Sequence, residues 1–209
     1  MKSVITIGRQ YGSDGRAIGK KIAEDLNIPF YDKEILARAA KETGFSEEII
    51  KENDEKKTSS FLYSLVMDSN FFGINPGFAA GPDNLPLSQK IFIAQCNTIK
   101  AIAAEGPCVI VGRCSDYVLE ESTNLINIFI HADIEARCRT VMARDGLGEK
   151  QALETIVRTD KERLSYYNYY TNKAWGDSNN YDLTIDSSKL GIDGTAAVIE
   201  AYIKECENK

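Results

Sequence analysis

The sequence predicts an α/β fold in which a central parallel sheet is wrapped by helices. Three observations predict it. Continuous apolar runs rich in β-branched residues recur at residues 3–7 (SVITI), 108–111 (CVIV) and 125–130 (LINIFI), the pattern of strands buried on both faces. Segments with apolar residues at helical spacing lie between them. The order that results, β-α-β-α-α-β-α-β-α-α-β-α, belongs to a sheet whose ligands sit at the carboxyl ends of its strands.

The first element is the most informative. Residues 5–26, ITIGRQYGSDGRAIGKKIAEDL, run from a strand through a glycine-rich turn into a helix whose Ile18, Ile22, Ala23 and Leu26 share one face. Gly8, Gly12 and Gly15 free the backbone for a tight turn. Successive N–H groups in such a turn, aligned with the positive end of the helix dipole, favour an anion, and phosphate is the expected one. The familiar phosphate-loop pattern G-x-x-x-x-G-K-[ST] is met only in part. Gly15 occupies the place of the Lys, Arg16 lies one residue late, and Ala17 stands where the hydroxyl should be. Arg16 is the expected cation, Ser13 the nearby hydroxyl for a metal, and Asp14 brings a negative charge into the loop. An ordinary strand-to-helix turn without a ligand is the alternative.

Residues 27–32 read as a second strand ending at Asp32, twenty residues after Gly12. That spacing also suits a dinucleotide fold, although a G-x-G-x-x-G run is absent. Two short helices are expected at 33–43 and 46–56, the second with Ser46 as N-cap. Residues 57–86 mix glycine and proline with many aromatics. They read as a flap packed on the domain, on a substrate or on a second subunit, which leaves a homodimer open. A long helix follows at 87–105, then the strand at 108–111, which delivers Gly112 and Arg113 at its carboxyl end. A short helix at 116–121 and the strand at 125–130 lead to His131, the only histidine, for which a structural role is expected. Two helices at 133–144 and 149–170 carry Arg137, Arg139, Arg144, Arg158, Lys161 and Arg163. A strand at 181–186 and a helix at 194–206 close the chain.

Composition narrows the function classes. A chain of 209 residues suits one domain, and a net charge of −6 argues against a general nucleic-acid binder. No run of 18 apolar residues occurs, so a membrane partner is not expected and a cytoplasmic location is. Five cysteines without C-x-x-C spacing suggest buried thiols rather than disulfides or zinc.

Taken together, ITIGRQYGSDGRAIGKKIAEDLNIPFYD, IVGRCSDYVL and DKERLSYYNYYTNKAWGDSNNYDLTIDSS resemble, in order, the phosphate loop, the Gly-Arg-Asp segment, and the lid and last strand of the cytidylate kinase-like family. The resemblance covers nearly the whole chain. It implies a three-layer P-loop kinase fold with a helical, arginine-rich lid. Residues 1–209 would form a single domain, with loop and second strand at 1–32, acceptor-side helices and flap at 33–105, core strands at 106–132, lid at 133–180 and last strand and helix at 181–209.

The same resemblance implies roles. Gly8, Arg9, Gly12, Ser13, Asp14, Gly15, Arg16 and Ala17 would bind the donor, ATP with Mg²⁺. Asp32, Arg38, Arg113, Asp116, Asp160 and Arg163 would bind the acceptor. Arg16, Arg137, Arg144, Arg158 and Arg163 would serve the transfer step, with Arg137 and Arg144 as lid cations. Cys114 replaces the Asp of the Gly-Arg-Asp segment, and the earlier Arg of the lid motif falls at Ile156, so that Arg158 is an approximate substitute. The activity implied is ATP-dependent phosphoryl transfer to a nucleoside monophosphate, CMP or dCMP first. A regulatory module that binds nucleotide without turnover is the alternative, and a dinucleotide-dependent oxidoreductase ranks behind both.

Overall fold

A computed structural model describes residues 2–44, 46, 48, 49 and 85–208. Five strands, β1 (Val4–Arg9), β2 (Phe30–Tyr31), β3 (Cys108–Val111), β4 (Leu125–His131) and β5 (Leu183–Asp186), form one sheet in the order β2-β3-β1-β4-β5. Every pairing is parallel, with Ile5 opposite Val109 on one side and Ile126 on the other. Parallel pairing demands crossovers, and helices supply them. These are α1 (Gly15–Asp25), α2 (Glu34–Thr43), α3 (Leu87–Glu105), α4 (Ser115–Val118), α5 (Ile134–Asp145), α6 (Glu149–Thr171) and α7 (Ser187–Glu207).

Alternation along the strands sorts the core into two layers. Ile5 and Ile7 of β1 and Val109 and Val111 of β3 meet Ile18 and Ile22 of α1 and Ile199 and Ile203 of α7. Val4, Cys108 and Ile110 point the other way, toward Ile35 of α2 and Ile99 and Ile102 of α3. A strand sandwiched in this way needs apolar side chains at every position, which is why its sequence shows no polar alternation. Thr6, the polar exception in β1, is satisfied by donating to Asn127 Oδ1 at 2.5 Å.

Helix boundaries follow local chemistry. Gly44 and Gly146, both at positive φ, terminate α2 and α5. The closing helix begins at Ser187, seven residues before the expected start, because Asp186 caps it by accepting from Ser188 N at 2.9 Å. Gly191 then kinks it, and the residues from 194 onward are its second limb. The expected N-cap at Ser46 accepts from Ile49 N at 3.3 Å. The rest of that helix and residues 57–84 of the flap lie outside the described residues. No described helix is long and apolar enough to cross a membrane.

Candidate active site

The glycine-rich turn joins the carboxyl end of β1 to α1 at the centre of the sheet. Gly12 at φ 81° and Asp14 at φ 57° turn the chain. Neighbouring elements hold it there. Tyr11 is gripped at both backbone groups: its N–H donates to Asp160 Oδ1 and its carbonyl accepts from Arg137 Nε, each at 2.8 Å. Arg137 and Asp160 are themselves ion-paired, and Arg137 is buried. Ser187 Oγ donates to the Ser13 carbonyl at 2.8 Å. Asp14 turns its carboxylate toward α5, where Thr140 Oγ1 donates to it at 3.2 Å.

No side chain caps α1, so the amides of Gly15, Arg16 and Ala17 in its first turn are available to an anion. Arg16 follows Gly15 directly and therefore takes the hydroxyl place of the loop pattern itself. The reading that gave this place to Ala17 is one residue out, and Ala17 is exposed on the helix. Ser13 is 1 % exposed, and its hydroxyl is directed at the carbonyls of Gln10 and Ile130, 3.0 and 3.1 Å away. It faces the body of the protein rather than a metal. The loop thus fits a polyphosphate, with uncapped amides and a cation. Among the described residues no three acidic, His or Cys groups converge to hold a cation.

Beside the loop lies a buried charge cluster. Arg113 Nη1 donates to Asp32 Oδ1 at 2.9 Å and to the Val111 carbonyl at 3.0 Å, while Arg16 Nε reaches Asp32 Oδ2 at 2.6 Å. Asp32 and Arg113 are each 4 % exposed. Burial pushes the Asp32 carboxyl up, but Arg113, Arg16 and Arg9 outweigh it and hold the group below the usual carboxylate range. Gly112, Arg113 and Cys114 are all left-handed, at φ 77°, 57° and 55°. That sharp turn folds Arg113 back over β3, at a backbone cost that non-glycine residues rarely bear. With both oxygens engaged by arginines, Asp32 is not presented to a ribose as a dinucleotide site would require.

A cavity at the carboxyl ends of β1 and β3 is lined by Arg9, Arg113, Asp116, Arg163, Tyr167 and Trp175, among others. Tyr167 Oη donates to Asp116 Oδ2 at 2.6 Å. Burial pushes the Asp116 carboxyl up against that hydrogen bond, and burial beside Asp116 likewise raises the Tyr167 and Tyr181 hydroxyls. Arg163 Nη1 donates to the Arg9 carbonyl at 3.1 Å. Arg144 and Arg163 both approach the ring of Tyr11, at 4.8 and 5.5 Å from its centroid, and Arg144 Nη2 is 2.5 Å from its hydroxyl.

The expected site residues therefore divide. The turn from Gly8 to Ala17, Asp32, Arg113, Asp116, Asp160, Arg163, Arg137 and Arg144 all border one edge of the sheet. Two residues do not join them. Arg38 binds Glu105 Oε1 at 2.7 Å, and Glu105 ends α3 just before the amino end of β3. Arg158 is exposed, two residues from Ile156, which is buried with Cys138, Val141 and Ala152; a two-residue step turns Arg158 to the other side of α6. Sequence reasoning overlooked Tyr11, whose signal was an aromatic residue set within a glycine-rich loop.

Comparison with known proteins is consistent along the chain. The profile of the cytidylate kinase-like family matches residues 4–189. A cytidylate kinase of Pyrococcus horikoshii is 26 % identical over 204 residues, 97 % of this chain and 88 % of that protein. One from Methanococcus vannielii is 29 % identical over 104 residues, which span 49 % of this chain and 60 % of that protein. Among solved structures, an uncharacterized protein of Eubacterium ventriosum is 32 % identical, covers 97 % of this chain and 99 % of its own, and superposes with a TM-score of 0.69. Shikimate kinase of Bacteroides thetaiotaomicron shares the fold at 11 % identity, with 98 % and 99 % coverage and a TM-score of 0.55. The parallel five-stranded sheet with helices on both faces is the P-loop kinase fold, and the chain belongs to the cytidylate kinase-like family.

Proposed function

We propose that the protein transfers the γ-phosphoryl group of ATP to a nucleoside monophosphate, with CMP and dCMP the first candidates. The observation that carries this reading is the placement of Arg16, Arg113 and Arg163 around one edge of the sheet, beside an uncapped helix start in a glycine-rich loop. Phosphoryl transfer asks little covalent chemistry of a protein: alignment of the reactants and neutralisation of equatorial charge carry most of it. The residues present suit that task. The α1 amides and Arg16 would hold the donor phosphates. Arg16 is half exposed, so it can shift from Asp32 to a ligand at little cost. Arg113, oriented by Asp32, and Arg163 would hold the acceptor phosphate, with Asp116 and Tyr167 beside its base. Arg144 would neutralise the group in transit. Arg137 and Asp160 act through the loop that they grip rather than on the substrates. Mg²⁺ would take its ligands from phosphate oxygens and water.

The test is a panel of nucleoside monophosphates with ATP and Mg²⁺. Acceptor-dependent ADP release is expected, and Arg163→Ala should weaken acceptor binding by about 1.5–3 kcal/mol, the value of a charge-assisted contact. Tight ATP binding with no acceptor-dependent turnover would instead favour a regulatory module. One observation supports that second reading: an arginine stands at the hydroxyl place of the loop pattern, and the nearby Ser13 hydroxyl faces inward.

A further inference from the structure

The missing loop lysine leaves a question of charge, and the packing of Gly15 answers it. Gly15 is not among the glycines at positive φ, so its backbone would accept a side chain. Space is the obstacle. A Cβ at this position would lie 2.6 Å from Arg9 Cβ and 3.1 Å from Arg9 Cγ, while Ser13 Oγ at 3.5 Å is an ordinary contact. The root of the arginine side chain, not its mobile tip, fills the volume where a lysine would leave the helix. Arg9 follows Ile5 and Ile7 on the face of β1 that α1 covers, so it reaches Gly15 from the strand below.

Resting on the kinase reading, we propose that Arg9 supplies the phosphate-binding cation that the loop lysine provides elsewhere, and that position 15 is glycine because the Arg9 stem runs across it. Its charge lies beside the site: Arg9 lines the cavity with Arg113 and Arg163, and it helps hold the Asp32 carboxyl low. Its carbonyl, accepting from Arg163, fixes the end of the strand from which the side chain departs. A guanidinium also presents a planar fork to phosphate oxygens where an ammonium presents a point charge. The cation has changed its origin from helix to strand while serving the same phosphates.

Titration calorimetry with ATP and with inorganic tripolyphosphate tests this on the wild type, Arg9→Met, Gly15→Lys and the Arg9→Ala/Gly15→Lys double variant, with thermal midpoints alongside. Arg9→Met keeps most of the stem and removes the charge, so both ligands should bind at least about tenfold more weakly, the loss of one charge-assisted contact, while the midpoint falls far less than in Gly15→Lys. Gly15→Lys alone should lower the midpoint and weaken binding, and the double variant should recover most of both losses. If the wild type binds and Arg9→Met binds equally well, Arg9 is not the cation, and the kinase reading stands without it. A double variant no better than Gly15→Lys would overturn the exchange independently of how Arg9→Met folds. A wild type that ignores both ligands would remove the kinase reading and this inference with it.

Discussion

Arg113 and Asp32, 81 residues apart in sequence, meet at 2.9 Å across the carboxyl edge of the sheet, and both are almost completely shielded from water. A buried pair of this kind is weak evidence for added stability, yet losing one member strands the other. Asp32→Ala should therefore cost about 3–5 kcal/mol in urea unfolding, with Arg16, the more exposed partner, compensating little. The pH dependence has a definite sign. Because the native carboxyl is held below its unfolded value of about 3.9, its contribution is complete above that value and is lost as pH falls through the lower native one. The stability gap between wild type and Asp32→Asn should shrink in acid, below about pH 4.

Asp116 carries the opposite sign. Its native carboxyl is raised by burial, so ionisation weakens the folded state as pH climbs from about 4 through the raised value. Asp116→Asn retains an oxygen to accept from Tyr167 and should melt above the wild type at neutral pH. The difference should close as pH is lowered below about 4, where both states of the wild type are protonated. A gap that stays constant with pH would show that the carboxyl is not raised.

The grip of Asp160 on the loop is measurable without a substrate. Asp160→Asn keeps the shape but removes the charge that Arg137 faces and weakens the acceptor for the Tyr11 amide. Faster hydrogen exchange at the Tyr11 amide is expected, together with weaker ATP binding. Exchange at the β1 and β3 amides should change little, since local opening of a loop leaves the central strands closed.

Gly12 is required for two reasons at once. Its φ of 81° disfavours a side chain, and a Cβ there would stand 2.8 Å from the Arg137 carbonyl, a backbone atom that cannot swing aside. Gly12→Ala should destabilise by about 1–3 kcal/mol in urea unfolding, from the backbone conformation and overpacking combined, and should push the loop off α5. Equal stability to the wild type would mean that α5 yields more readily than this packing implies.

Much of this molecule is readable from its order of residues because the signals are local. Uninterrupted runs such as Cys108–Val111 mark strands covered on both faces, and the long helix at 87–105 and the glycines that end helices at Gly44, Gly106 and Gly146 declare themselves through spacing. The phosphate loop is equally local: strand, glycines and amphipathic helix follow one another directly. Arg137 and Arg144 of α5 and Asp160 and Arg163 of α6 border it because parallel crossovers return every strand end to the same edge, while Arg158 turns away.

Distance in sequence is where such reading stops. Spacing alone does not say that Asp14 turns to Thr140, that Ser13 donates inward, that Arg144 and Arg163 both approach the Tyr11 ring, or that Arg38 is drawn off by Glu105. Each depends on a partner far along the chain, and a side chain's direction is decided by the partner it can reach. The sequence alone determined a helix-wrapped parallel sheet with a phosphate-shaped first corner, since those properties reside in neighbouring residues. Only the tertiary structure decided that position 15 has no room for a side chain, because the stem of Arg9 rises against it where strand packs on helix.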